Sequence, residues 1–110
     1  PLSEIMDLIV TRDDVAHVKP DPEGFYKVLD ALKAEPEECI MVEDALPGIR
    51  GAMSAGIDSV VIEERHNADD RVQLEDAALA RFASPAALLK GIQAEIEAAA
   101  GGIHCMRSSR

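Results

Sequence analysis

The segment Cys39-Ile40-Met41-Val42 is apolar, only four residues long, and closed abruptly by Glu43-Asp44 and then Pro47-Gly48. A run of that length bounded by breakers reads as a buried strand whose C-terminal end presents charge to a ligand. Behind it Leu46, Ile49 and Met53 recur at helical spacing, Gly56 suits the C-terminal cap of that helix, and Ser59-Val60-Val61-Ile62 is a further short apolar run. Strand, helix and strand in this order commit the chain to repeated βα units, an α/β fold built on a parallel sheet.

The same alternation extends both ways. Upstream, Leu8-Ile9-Val10-Thr11 reads as a short strand, and the stretch from Thr11 to Pro20 as the loop leaving its C-terminal end. Asp21 suits an N-cap with Pro22 at the first helical position. Phe25, Val28, Leu29 and Leu32 then follow at the i, i+3, i+4, i+7 spacing of one buried face. That helix is expected to stop before Pro36, and the strand ending in Val42 to start at Glu38. Downstream, residues 63–76 are charged without periodicity and read as a solvated loop, and Arg81-Phe82-Ala83 as a short edge strand. Ser84 and Pro85 open a last helix whose apolar stripe is Leu88, Leu89, Ile92 and Ile96. Residues 1–100 therefore read as part of one domain and 101–110 as a flexible tail.

Lys19 ends Val18-Lys19 ahead of Pro20-Asp21-Pro22, on the same side of the expected sheet as Glu43 and Asp44. Carboxylate oxygens are hard ligands for Mg²⁺, and an ammonium is a point charge for phosphate oxygens. Taken singly, Lys19 reads as a surface lysine and Asp44 as a helix cap. Other polar residues carry less: Arg12, Asp13 and Asp14 form a charge run in a loop, His17 is a loop residue, and His66 has no partner at metal-ligand spacing. His104-Cys105-Met106 lies in the tail and implies adventitious metal binding at most.

The residues from Val18 to Phe25 and from Ile40 to Gly56, with Val42-Glu43-Asp44 and the run Gly48-Ile49-Arg50-Gly51-Ala52-Met53-Ser54-Ala55-Gly56, resemble the third and fourth motifs of the haloacid dehalogenase (HAD) superfamily. The branch they are most similar to is that of phosphoglycolate phosphatase and β-phosphoglucomutase. The resemblance covers roughly residues 6–64, a stretch long enough for several parallel βα units. It implies a Rossmann-like parallel sheet, with Lys19 as the phosphate-binding catalytic lysine and Asp44 as a catalytic residue and direct Mg²⁺ ligand. Glu43 is implied as a second ligand or one acting through water. It also implies phosphoryl transfer from a small phosphorylated metabolite through an aspartyl-phosphate. The acidic pair sets the chain apart from the metal-free dehalogenases of the same superfamily.

The superfamily's nucleophile lies in an Asp-x-Asp segment, and this sequence contains no Asp-x-Asp. With Pro1 falling inside what reads as a helix, the chain is expected to be the C-terminal portion of a larger enzyme, inactive by itself. Substrate choice resembles a property of a cap domain upstream. The resemblance places the strand at Leu8 at one edge of the sheet and seats the strand at Cys39 beside the nucleophile strand. A chain lacking the strands between them is expected to pair Leu8–Thr11 directly with Cys39–Val42, at low stability, or to self-associate through open sheet edges. Two other readings stay open: a non-catalytic remnant that binds a protein partner, and an unrelated doubly wound domain. Neither Gly-x-Gly-x-x-Gly nor a P-loop follows the first expected strand, which counts against a nucleotide-binding unit.

Composition narrows the class of partner. Of 110 residues, 47% are hydrophobic and 29% charged, an ordinary globular balance. The formal charge of −10, from 21 acidic residues against 11 Lys and Arg, argues against a nucleic-acid surface. No stretch approaches the roughly 18 apolar residues a membrane span needs, so no membrane partner is expected. A cytoplasmic setting is the expectation, and two cysteines in such different contexts as Cys39 and Cys105 make no disulfide framework.

Overall fold

The computed structural model describes residues 1–63, 73 and 76–100. Three parallel strands form its sheet in the order β1 (Ile40–Glu43), β2 (Asp58–Ile62), β3 (Ala80–Phe82). Helix α1 (Glu23–Leu32) precedes β1, α2 (Leu46–Ser54) joins β1 to β2, and α3 (Pro85–Ala100) follows β3. The α/β class and its parallel sheet are thus as the sequence implies. Hydrogen bonds from Leu79 N–H to the Ser59 carbonyl and from Glu63 N–H to the Phe82 carbonyl, both 2.8 Å, extend the pairing of β2 with β3 beyond the strands.

Register decides which side chains meet which helix. Met41 pairs with Ser59 and Glu43 with Val61, and alternation puts these four on one face. That face meets α1 and α2. Phe25, Leu29, Ala52, Ala55 and Ile57 form one buried cluster with Met41 against it, and Leu46, Ile49 and Val61 form a second with Ala77 and Ala78. Ile49 and Val61 are essentially sealed from solvent, and each such burial stabilises the fold by roughly 1.5–3 kcal/mol. Phe82 pairs with Ile62 on the opposite face, where Gly91 of α3 comes close to its ring.

Several expectations are corrected. Leu8–Val10 carries no strand and does not pair with β1, because β structure exists only through a hydrogen-bonded neighbour; Leu8 and Ile9 are 37% and 45% exposed. Residues Pro36–Glu38 form a 3₁₀ turn instead of the start of a strand. Glu38 caps that turn by accepting from Glu35 N–H at 2.9 Å, so β1 begins two residues later. Helix α1 starts at Glu23 rather than Pro22, although the Asp21 carboxylate accepts from Glu23 N–H at 2.9 Å and so still satisfies an end of the helix. It stops before Pro36 as expected, at Lys33 in the left-handed conformation, but Leu32, expected on its buried face, is exposed.

In α2 the covered face runs through Ala52 and on to Ala55 at its C-cap, so Met53 is outside. The α3 stripe is corrected too: Leu89, Ile92 and Ile96 are exposed, while Gly91 is the position of the helix that comes close to the Phe82 ring of β3. Its start is as expected, with Ser84 Oγ accepting from Ala87 N–H at 3.1 Å. The loop expected over 63–76 lies mostly outside the described residues, as does the tail at 101–110. Among the described residues, no helix is long and apolar enough to cross a membrane.

Candidate functional site

Lys19 and Glu43 are separated by 24 residues and meet in space. Lys19 closes the loop before α1, where a turn brings Asp21 N–H to the Val18 carbonyl at 3.0 Å. Glu43 is the last residue of β1, on the face that α2 covers. Lys19 Nζ donates to Glu43 Oε1 at 2.6 Å. The Glu43 side chain is buried at 6% exposure while that of Lys19 is 49% exposed, so the carboxylate is sealed and the ammonium still faces solvent.

The fit of Glu43 depends on a missing side chain. Gly48, in the first turn of α2, lies so close to the Glu43 carboxylate that a Cβ there would overlap it. A second glycine one turn on, Gly51, does the same for an aromatic ring: a Cβ would fall 2.6 Å from Phe25 Cε2 and 3.3 Å from the Pro20 carbonyl oxygen. Phe25 in turn lies under the lysine, with Nζ 5.5 Å from the ring centroid. Asp44 follows β1 directly and is exposed, just ahead of the N-terminus of α2.

The loop that carries Lys19 is stapled from α1. Glu23 accepts from Ala16 N–H at 2.7 Å, from His17 N–H at 3.2 Å and faces His17 Nδ1 at 3.2 Å. Desolvation pushes the Glu23 carboxyl up, but the hydrogen bonds from Ala16 and His17 outweigh it and hold its pKa below the ordinary value. Asp14 is also held low, by the Thr11 N–H at 2.6 Å first and then the Thr11 hydroxyl. Arg12–Asp14 forms a capped 3₁₀ turn whose Asp14 carbonyl accepts from Lys27.

A Mg²⁺ ion commonly takes one or two protein carboxylates and completes its shell with water and phosphate oxygens. Asp44, exposed at a strand end, fits such a shell; Glu43 fits it less simply, since one of its oxygens is given to Lys19. Among the described residues no three His, Cys, Asp or Glu side chains converge into a protein cage. Phe25, read from the sequence as core, and Gly48, Gly51 and Glu23 all belong to the site's architecture. Gly48 and Gly51 lie within the run that carries the family resemblance, but the space each leaves for the Glu43 carboxylate and the Phe25 ring is not legible in the local sequence.

A parallel sheet flanked by helices, with charged residues at the carboxyl ends of its strands, defines an α/β domain of the kind that takes ligands at that edge. Residues 1–62 match the haloacid dehalogenase-like hydrolases, and the chain belongs to that family. It is 42% identical over 66 residues to validoxylamine A 7'-phosphate phosphatase of Streptomyces hygroscopicus subsp. limoneus, covering 60% of this chain and 31% of that one. It is 46% identical over 61 residues to pyrophosphatase PpaX of Bacillus mycoides, covering 56% and 28%. The chain thus spans about a third of the length of these curated relatives. Among solved structures it superposes on a protein of Thermotoga maritima described as a β-phosphoglucomutase, with a TM-score of 0.73 and 33% identity over 84% of this chain and 43% of that one. CbbY of Rhodobacter sphaeroides, solved with xylulose-(1,5)bisphosphate, gives a TM-score of 0.65 and 32% identity over 76% and 36%. Membership of this family sets aside the reading of an unrelated doubly wound domain.

Proposed function

We propose that this chain is the phosphate- and metal-handling part of a Mg²⁺-dependent phosphatase or phosphomutase acting on a small phosphorylated metabolite through an aspartyl-phosphate. The observation that carries the reading is the half-exposed Lys19 side chain, its ammonium anchored by buried Glu43, whose next neighbour in the chain is the exposed Asp44. A fixed cation at that place stabilises negative charge on a transferring phosphoryl group without having to reorganise during the reaction. Asp44 holds the metal, with Glu43 as a second or water-mediated ligand, and Mg²⁺ when bound neutralises phosphoryl oxygens. Glu43 has a further duty: it keeps the Lys19 ammonium in place. Phosphate-ester and bisphosphate names among the relatives support the substrate class. The nucleophile is the piece this sequence lacks, since it contains no Asp-x-Asp.

Site-directed variants of the parent enzyme test the assignment. Lys19→Ala and Asp44→Asn are each expected to lower turnover on the order of 10² or more, the scale of losing one preorganised electrostatic group. Asp44→Asn also raises the Mg²⁺ concentration needed for half-maximal rate, whereas Lys19→Ala leaves it near the parent value. Near-normal turnover in both variants defeats the assignment.

A further inference from the structure

We propose that Phe25 is a positioning residue for Lys19, holding the ammonium by the face of its ring, and that Gly51 exists at its position to admit that ring. The inference rests on the reading of Lys19 as the cation for phosphate.

Glu43 is a limited anchor for Lys19. The Lys19 side chain has four rotatable bonds, and its single hydrogen bond to Glu43 Oε1 at 2.6 Å fixes one point of it. An ammonium has three donors, so two remain for a ligand. Every carboxylate added to hold it better would cancel the positive charge a phosphate needs. An aromatic ring attracts a cation through its quadrupole and carries no net charge, so it restrains the ammonium without neutralising it. Phe25 is placed for this, with its centroid 5.5 Å from Nζ.

The ring itself is fixed from behind. Phe25 is buried at 6% exposure within the cluster of Leu29, Ala52, Ala55 and Ile57. Its Cε2 edge occupies space that any side chain at position 51 would claim, and Gly51 supplies that space. Gly48 and Gly51, one helical turn apart on α2, thus make room for the two groups that hold Lys19: the Glu43 carboxylate and the Phe25 ring.

Proton NMR of the 110-residue chain, with orthophosphate as the ligand, tests this. A side chain held over a ring feels its ring current, so the Lys19 ε-methylene protons are expected upfield of the other lysines. Phe25→Tyr keeps that shift, and Phe25→Leu abolishes it while the dispersed amide spectrum persists. Phe25→Leu is also expected to weaken the orthophosphate response at Lys19 by about two- to fivefold, the factor represented by an exposed cation on an aromatic face. Gly51→Ala, which pushes the ring aside while leaving Phe25 in the chain, reduces the shift as well. An unshifted Lys19 in the wild-type chain overturns the proposal, whether or not Phe25→Leu folds. Orthophosphate binding undiminished by Phe25→Leu overturns the platform and leaves the phosphate reading standing. A wild-type chain with the shift but no orthophosphate response at Lys19 overturns the phosphate reading itself.

Discussion

Glu23 is the residue on which the position of the Lys19 loop most visibly depends on pH. Its carboxylate gathers Ala16 N–H, His17 N–H and the His17 ring, and its pKa is depressed as a result. A carboxyl with a lowered folded pKa contributes stability that is present above its unfolded pKa and is lost as pH falls through the folded one. Asp14, held low by Thr11, acts in the same direction. Denaturant midpoints followed from pH 7 to pH 2 should therefore fall below about pH 4, the ordinary carboxylate range. Glu23→Gln should flatten that slope and lower the midpoint at pH 7. A slope identical to wild type would show that the staple carries no linkage.

At the scale of elements, caps and small residues decide how each helix meets the sheet. Helix α1 ends at Lys33, which sits at φ 52° and ψ 42°, a conformation a side chain resists and glycine adopts readily. Its N–H still closes the helix, bonding the Asp30 carbonyl at 3.2 Å. Lys33→Gly should therefore stabilise the chain by about 0.5–1 kcal/mol, read as a higher denaturant midpoint at unchanged slope. A lower midpoint would mean that the unfolded-state entropy of glycine outweighs the relieved strain. The end of α2 needs no such repair, because Gly56 occupies its left-handed position at φ 77°.

Two expectations belong to the whole molecule. On the proposed reading, the chain by itself should release no phosphate from p-nitrophenyl phosphate above buffer with Mg²⁺, since Lys19 and Asp44 would have no Asp-x-Asp nucleophile to assist; metal-dependent release by a clean preparation would contradict this. The second concerns the outer edge of β1, which among the described residues has no strand neighbour, with Ile40 at 52% and Val42 at 44% exposure on one face. An open apolar edge is a template for another strand. Sedimentation should show mass average rising with concentration, and Val42→Lys should suppress the rise; a strictly monomeric wild-type chain would exclude edge pairing.

The local pattern of residues was sufficient for most elements. The apolar run ending at Val42, the helical spacing behind it, Gly56 and the run Ser59–Ile62 all lie within a few residues of the groups they specify, so β1, α2 and β2 were legible to within two residues. Lys19, Glu43 and Asp44 were legible as candidates through motif resemblance. Burial and pairing were not, because they depend on what lies across space. Among the described residues, Met53, Leu89 and Ile96 have helical spacing yet stay exposed, with no layer over them, and Leu8–Val10 has strand composition yet no strand partner. Only the tertiary structure set Lys19 against Glu43 and Phe25, with Gly48 and Gly51 leaving them room. A contact across 24 residues is created by the packing of α1 and α2 on one face of the sheet, and no local spacing encodes it.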